Sequence, residues 1–222
     1  MRRVAVLALG LATLACGCGS NKQPGAATNV ETKRAGTEAP AGFTVRIVKG
    51  QRFSIALPKD WTSLDAHQAL NSAAMKRFSK VNPQLGGQMQ ALAQPNSPIK
   101  LLAVAPGAKG GFLTNLNVLV SPIPAAVPFE TWSLAEVSDI KSVPTVKRLQ
   151  HDEVLLQPGK AIHVTYRAAF NRPSGQFVAV VHQYLVKKAA ALYVLTYTSQ
   201  PSQEPGLRKT FLQSARTFRV SG

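Results

Sequence analysis

The sequence is poor in acidic residues and in cysteine. It has 222 residues, of which 10 are Asp or Glu against 26 Lys or Arg, which gives a formal net charge of +16. The two cysteines, Cys16 and Cys18, lie close together near the N-terminus, which excludes a disulfide-stapled fold and a cysteine-rich metal site. The excess of basic residues favours anionic partners, because net charge governs non-specific association.

Sequence motifs that specify a reaction are also missing. The chain has no Gly-x-Ser-x-Gly elbow, no His-Glu-x-x-His pair and no Walker-type phosphate loop. Asp152 and Glu153 are adjacent, so on a strand they point to opposite faces and do not share a site. We therefore predict that the protein is not an enzyme, with no catalytic residues, no metal ligands and no cofactor.

The N-terminus has the layout of an export signal. A short basic segment, Met1 to Arg3, precedes an apolar run from Val4 to Ala15, and small residues follow. This run is well short of the roughly 20 residues that a transmembrane helix needs, so a cleaved signal is favoured over a permanent span.

The segment after the apolar run resembles the lipobox of bacterial lipoproteins, in which a cysteine receives a diacylglyceryl group and becomes the new N-terminus. Cys16 follows Ala15 but has Thr13 where leucine is usual, whereas Cys18 follows Gly17 but has Cys16 one place earlier. Either Cys18 or Cys16 can be the site of lipid attachment. The modification would add acyl chains such as palmitate. The alternative is an ordinary secretory signal with incidental cysteines.

Composition divides the chain into three parts: a lipoprotein signal peptide at 1–18, a flexible tether at 19–42 and one folded domain at 43–222. The tether is rich in Ala, Thr, Pro and Gly and has no apolar periodicity, which is typical of disorder. The part of the tether from Asn21 to Gly42, a flexible coil of about 22 residues, would hold the domain roughly 25 Å from its anchor.

The folded part shows mostly strand patterns interrupted by helix patterns. Alternating apolar residues predict a hairpin from Val45 to Leu57, and four-residue spacing predicts a helix from Leu64 to Lys80. The other predictions are a second short helical stripe at Leu85, Met89 and Leu92, strands at 99–105, 114–120, 145–156, 160–169, 176–187 and 191–199, and helices beginning at Pro128 and Ser202. The fold class is therefore α+β, a mostly antiparallel sheet covered by helices, and the last two strands are predicted to be central.

Two of the four histidines are predicted to meet. If strands 160–169 and 176–187 form a hairpin closed by Asn171 to Gly175, His163 and His182 become direct cross-strand neighbours on one face. We interpret them as half-buried histidines under a helix, because a metal site needs a third ligand that the sequence does not identify. Trp61, Trp132 and the tyrosines of the last strands are interpreted as core and boundary residues and not as a ligand-binding set.

Several of these segments together resemble PsbP-like domains. Three segments are similar to successive parts of that fold. They are the strand that ends at Pro58 and is followed by Trp61, the strand Asn115–Val120 with the Phe129–Trp132 helix after it, and the run Ala191–Tyr197 with the last helix. LpqN-type lipoproteins of actinobacteria join such a domain to a lipidated leader. The resemblance implies a PsbP-like fold and an envelope location, and it implies no catalytic set.

We expect a lipid-anchored, exported, non-enzymatic interaction domain on the extracytoplasmic face of the cell membrane. The alternative is a carrier that holds an apolar or lipid ligand between sheet and helices. The expected partners are the membrane, through the anchor, and an envelope protein or anionic envelope component. Nucleic acid is not expected, because an exported protein does not meet the chromosome and no aromatic-rich basic motif is present.

Overall fold

The structure is a computed structural model that describes residues 39–48, 50–65, 68, 73, 76, 86–94, 96–107, 112–172 and 175–221. The described residues do not include the predicted signal peptide or most of the predicted tether. The two candidate lipid-attachment residues, Cys16 and Cys18, and the histidine His67 also lie outside them. Among the described residues, no helix combines the length and apolarity needed to cross a bilayer.

The described elements form two antiparallel sheets and three helices with defined bounds. The strands are β1 Phe43–Val48, β2 Phe53–Pro58, β3 Thr62–Asp65, β4 Ile99–Val104, β5 Asn115–Pro122, β6 Val146–Leu156, β7 Gly159–Arg172, β8 Gly175–Lys188, β9 Ala191–Ser199 and β10 Arg219–Val220. The helices are α1 Gly86–Leu92, α2 Phe129–Ser142 and α3 Glu204–Arg216. The mostly antiparallel α+β class predicted from the sequence is confirmed.

The larger sheet has the order β3-β4-β5-β9-β8-β7-β6, and the smaller one β1-β2-β10. Strands β8 and β9 are adjacent in the middle of the larger sheet, and their central residues are buried on both faces. This confirms the prediction from their nearly continuous apolar runs. Strand β6 is an edge strand, and most of its residues are exposed.

Alternate residues of the central strands build two separate cores. Tyr184 and Leu195 pack with Phe211 of α3 on one face of the larger sheet, called the α3 face here. Leu185 and Val194 pack in one cluster with Trp132 of α2 on the opposite face, called the α2 face. Since side chains alternate along a strand, β8 and β9 contribute to both cores at once.

The smaller sheet takes part in the α3-face core, which the sequence did not predict. Phe53 and Ile55 of β2, and Trp61 after that strand, are at most 5% exposed and belong to the same cluster as Phe211 and Phe218. The predicted β1-β2 hairpin is confirmed, but Ile47 is 74% exposed whereas Val48 is buried. The α3 face is therefore packed by a helix and by a second sheet.

A buried hydrogen-bond network fixes α3 between the two sheets. The Tyr197 hydroxyl of β9 donates to Ser214 Oγ at 2.9 Å, and Ser214 Oγ donates to the carbonyl of Ala56 in β2 at 2.7 Å. The Ala56 amide in turn donates to Thr217 Oγ1 at 2.7 Å. Because all of these groups are satisfied within the protein, the network sets the position of α3 on the sheet.

The predicted start of the first helix, at Leu64, is wrong. Thr62–Asp65 forms β3, which pairs with β4 and places the buried side chain of Leu64 opposite Leu102. Pairing with β4 overrides the local pattern, since Thr62 and Ser63 suit a strand as well as a helix cap. The rest of the predicted helix falls almost entirely outside the described residues.

Candidate functional site

His163 and His182 lie on the same face of the sheet and are in contact, as predicted, but they are not direct neighbours. In the β7-β8 hairpin His163 pairs with Tyr184, and His182 pairs with Thr165. Strand β7 continues to Arg172 and β8 begins at Gly175, so the loop is shorter than predicted and its centre lies one residue later. This change moves the register by two residues, which preserves the face of each side chain.

The two rings form the middle of a line of hydrogen-bonding groups contributed by four elements. His163 Nδ1 lies 3.1 Å from Asp152 Oδ1 of β6, and His163 Nε2 lies 3.0 Å from His182 Nδ1. His182 Nε2 lies 2.9 Å from Glu204 Oε1, at the first residue of α3. We call Asp152, His163, His182 and Glu204 the histidine chain.

The histidine chain leads from solvent into the core beneath α3. The side chain of Asp152 is 63% exposed, that of His163 is 18% exposed and that of His182 is 2% exposed. Glu204 is also buried, and Arg208 donates to both of its carboxylate oxygens at 2.8 and 3.0 Å. The sequence did not identify Glu204 as a partner, because the contact depends on how α3 docks on β8.

Aromatic rings enclose both imidazoles. The Tyr184 ring stacks on His163 with centroids 4.5 Å apart, and the Phe211 ring meets His182 edge-on at 5.6 Å. Burial lowers the pKa of His163 and of His182, and the neighbouring His163 lowers that of His182 further. The Arg208 guanidinium holds the pKa of Glu204 below its usual range.

The number of protons on the histidine chain determines how many of its contacts can be hydrogen bonds. Its three contacts need three protons if each is to be a hydrogen bond, but two neutral imidazoles carry only two N–H groups. Neutral rings can donate to Asp152 and Glu204, which leaves two ring nitrogens facing each other. The Thr165 hydroxyl lies 3.2 Å from His163 Nε2 and 3.3 Å from His182 Nδ1, so it can donate to one of these nitrogens.

Thr165, His163 and Asp152 follow the order of a nucleophile, a base and an orienting acid. Their surroundings favour a structural role, since His163 Nε2 is shared with His182 and Phe211 of α3 covers His182. Among the described residues, no group of three or more His, Cys, Asp or Glu is arranged to hold a metal ion. The histidine chain thus joins α3, β8, β7 and β6.

An open groove lies on the α2 face, between α2 and the edge strand β6. It has a volume of about 610 Å³. Its lining consists of Leu134, Val137, Ser138 and Lys141 from α2 with Val146, Lys147, Arg148, Leu149 and His151 from β6. We call it the basic groove, because every ionisable residue of this lining is Lys, Arg or His.

A bulge in β6 shapes the basic groove. The register with β7 shifts between Lys147 and Gln150, and Arg148 adopts a φ of 55°. A β-bulge bends its strand and re-aims side chains at the sheet edge. The sequence did not reveal the groove, because α2 and β6 belong to separate patterns that meet only in the folded chain.

A buried polar row crosses the middle of the α2 face. Asn117 of β5, Thr196 of β9 and Gln183 of β8 are direct cross-strand neighbours, each at most 3% exposed. Gln183 Nε2 donates to Thr196 Oγ1 at 3.1 Å, but Asn117 Oδ1 and Gln183 Oε1 have no hydrogen-bond partner in the described structure. The row lies between Leu102 of β4 and Val164 of β7, which belong to two different apolar clusters.

Comparison with known proteins supports the fold. No family model and no curated protein matches the chain. LpqN of Mycobacterium tuberculosis, involved in cell envelope biogenesis, is 8% identical, with 81% of this chain and 92% of LpqN covered and a TM-score of 0.50. A cyanobacterial PsbP of Synechocystis is 11% identical, with 84% and 97% covered and a TM-score of 0.46. The likeness to LpqN shows a shared fold.

Proposed function

We propose that this chain is an LpqN-type, lipid-anchored domain of the cell envelope that acts by binding and not by catalysis. The observation that carries the proposal is the leader, in which a basic start and an apolar run end at Cys16 and Cys18. The cell envelope biogenesis in which LpqN is involved supports the same location, since the two proteins share a fold.

The internal contacts of the histidine chain support the non-enzymatic part of the proposal. A general base must reach the proton that it removes from a substrate. His163, the base in the order Thr165, His163 and Asp152, is 18% exposed, and its two ring nitrogens contact Asp152 and His182. The cluster that most resembles catalytic machinery is therefore engaged within the protein.

Lipidation at one of the two cysteines is the first expected result. Mass spectrometry of the native N-terminus should find a diacylglyceryl-modified cysteine, because several acyl chains give the stable anchoring that one chain lacks. Cys16→Ser and Cys18→Ser form a matched pair, and only one of them should release the chain from the membrane. An unmodified mature terminus at Asn21 or beyond would contradict the lipid anchor.

A carrier of an apolar or lipid ligand is the second candidate function, and the buried polar row favours it. Unpaired buried acceptors flanked by apolar clusters have the mixed character that binding of an amphiphilic ligand would require. Native mass spectrometry of the chain purified from its membrane should then detect a bound ligand that Gln183→Leu removes. Gln176→Leu, at an exposed position of the same strand, is the control. A wild-type chain without a ligand mass would reject the carrier.

A further inference from the structure

The basic groove combines cationic and apolar side chains at one surface. Lys141, Lys147 and Arg148 are exposed and line it together, and Leu134 is 66% exposed beside them. The acidic residues of α2 are not among the lining residues. The lining is therefore complementary to an anionic surface with an apolar layer below its charges.

The geometry of β6 disfavours a peptide strand as the occupant. Strand addition needs a regular edge, but β6 is interrupted by the bulge at Lys147 to Gln150 and carries charged side chains along its length. Both features are typical of edges that resist pairing with another strand. The side chains of the groove, and not its backbone, are then the contact surface.

We infer that the basic groove is the face through which the domain docks on an anionic phospholipid membrane. Lys141, Lys147 and Arg148 contact lipid phosphates, and Leu134 inserts between headgroups. This inference rests on the proposed lipid anchor, which keeps the domain within a tether length of the membrane and gives weak contacts a high effective concentration. Each cation near such a surface favours binding roughly fivefold, so three together favour it by roughly a hundredfold.

Lysine footprinting on vesicles tests the docking. The full mature chain, held by its own anchor, is placed in phosphatidylglycerol or phosphatidylcholine vesicles and briefly acetylated at low salt. On phosphatidylglycerol, the reactivity of Lys141 and Lys147 should fall by at least about tenfold, because three cations acting together hold most domains in the docked state. Lys59 and Lys188 are exposed elsewhere on the domain and should react equally in both vesicles.

Matched variants separate the groove from net charge. Lys147→Gln with Arg148→Gln should restore the reactivity of Lys141 on phosphatidylglycerol, whereas Lys59→Gln with Lys188→Gln, an equal loss of charge, should leave its protection intact. Leu134→Ser should keep the protection at low salt and lose it near physiological salt, where screening weakens the cation contacts. Thermal melting confirms that each variant is folded.

Three results would overturn the inference: equal reactivity in both vesicles, equal protection at Lys59 and Lys188, and protection that follows protein concentration and not phosphatidylglycerol. The last would identify a second copy of the chain as the occupant. Failure of the proposed anchor is recognised separately by the N-terminal mass of the same sample. The mature chain is then added to vesicles from solution, and the same footprint still decides the role of the groove.

Discussion

Glu204→Ala should lower the free energy of unfolding by about 3 kcal/mol, and the melting temperature of a domain this size by roughly 9 °C. The substitution leaves the buried His182 Nε2 without its 2.9 Å partner. It also removes an acidic side chain from the first turn of α3, where it is favourable to the helix dipole. Urea unfolding and calorimetry at pH 7.5 measure the loss.

Two variants distinguish the buried contact from the exposed ion pair. Glu204→Gln keeps an oxygen that accepts from His182, so we expect it to retain most of the stability lost in Glu204→Ala. Arg208→Gln removes an exposed partner of Glu204 and should cost only about 0.5 kcal/mol. If Glu204→Ala matches the wild type within that amount, the histidine chain does not hold α3 on the sheet.

The histidine contact shows what sequence periodicity can and cannot establish. Alternation along a strand specifies the face of each side chain, so the sequence correctly placed His163 and His182 together. It does not specify a register shift of two residues, which leaves every side chain on its face. Register depends on turn geometry, and β7 and β8 extend further toward their loop than the turn residues indicated.

Secondary-structure predictions that depended on the local sequence pattern alone were less accurate. A helix was predicted from Leu64, but the chain there forms β3, in which Thr62 and Ser63 pair with Val104 and Ala103 of β4. A short polar and β-branched segment is compatible with both structures, and a neighbouring strand decides between them. The central strands were predicted correctly because a nearly continuous apolar sequence is stable in a sheet only when both faces of the strand are buried.

The functional features that the sequence missed all involve residues from distant segments. Glu204 reaches His182 only when α3 docks across β8, and the basic groove forms only where α2 meets the bulge of β6. The net charge predicted an anionic partner but not a location, since Lys and Arg are spread along the chain. Only the fold brings Lys141, Lys147 and Arg148 together.

Acidification below about pH 6.5 should destabilise the protein through its two buried histidines. In the unfolded chain both take up protons near the ordinary pKa of 6.5, whereas burial lowers the pKa of both in the fold. The unfolded state then binds more protons, so the free energy of unfolding falls by up to about 1.4 kcal/mol per pH unit for each histidine. Above this window the two histidines add no pH dependence.

The carboxylate of Glu204 titrates outside this window. The pKa of Glu204 is lowered from its ordinary 4.5 by Arg208, so its contribution is lost only at more acidic pH. Between pH 7.5 and 5.0 Glu204 therefore stays ionised, and the comparison of the wild type with histidine variants isolates the contribution of His163 and His182.

Urea unfolding across this range, on the wild type and on matched variants, measures the effect. His163→Gln together with His182→Gln should flatten the dependence between pH 6.5 and 5.0, because the groups with lowered pKa are gone. His151→Gln, which removes an exposed histidine outside the histidine chain, is the matched control. A wild type that gains stability on acidification would contradict the prediction. It would show that the folded rings take up a shared proton, which completes the three hydrogen bonds between Asp152 and Glu204.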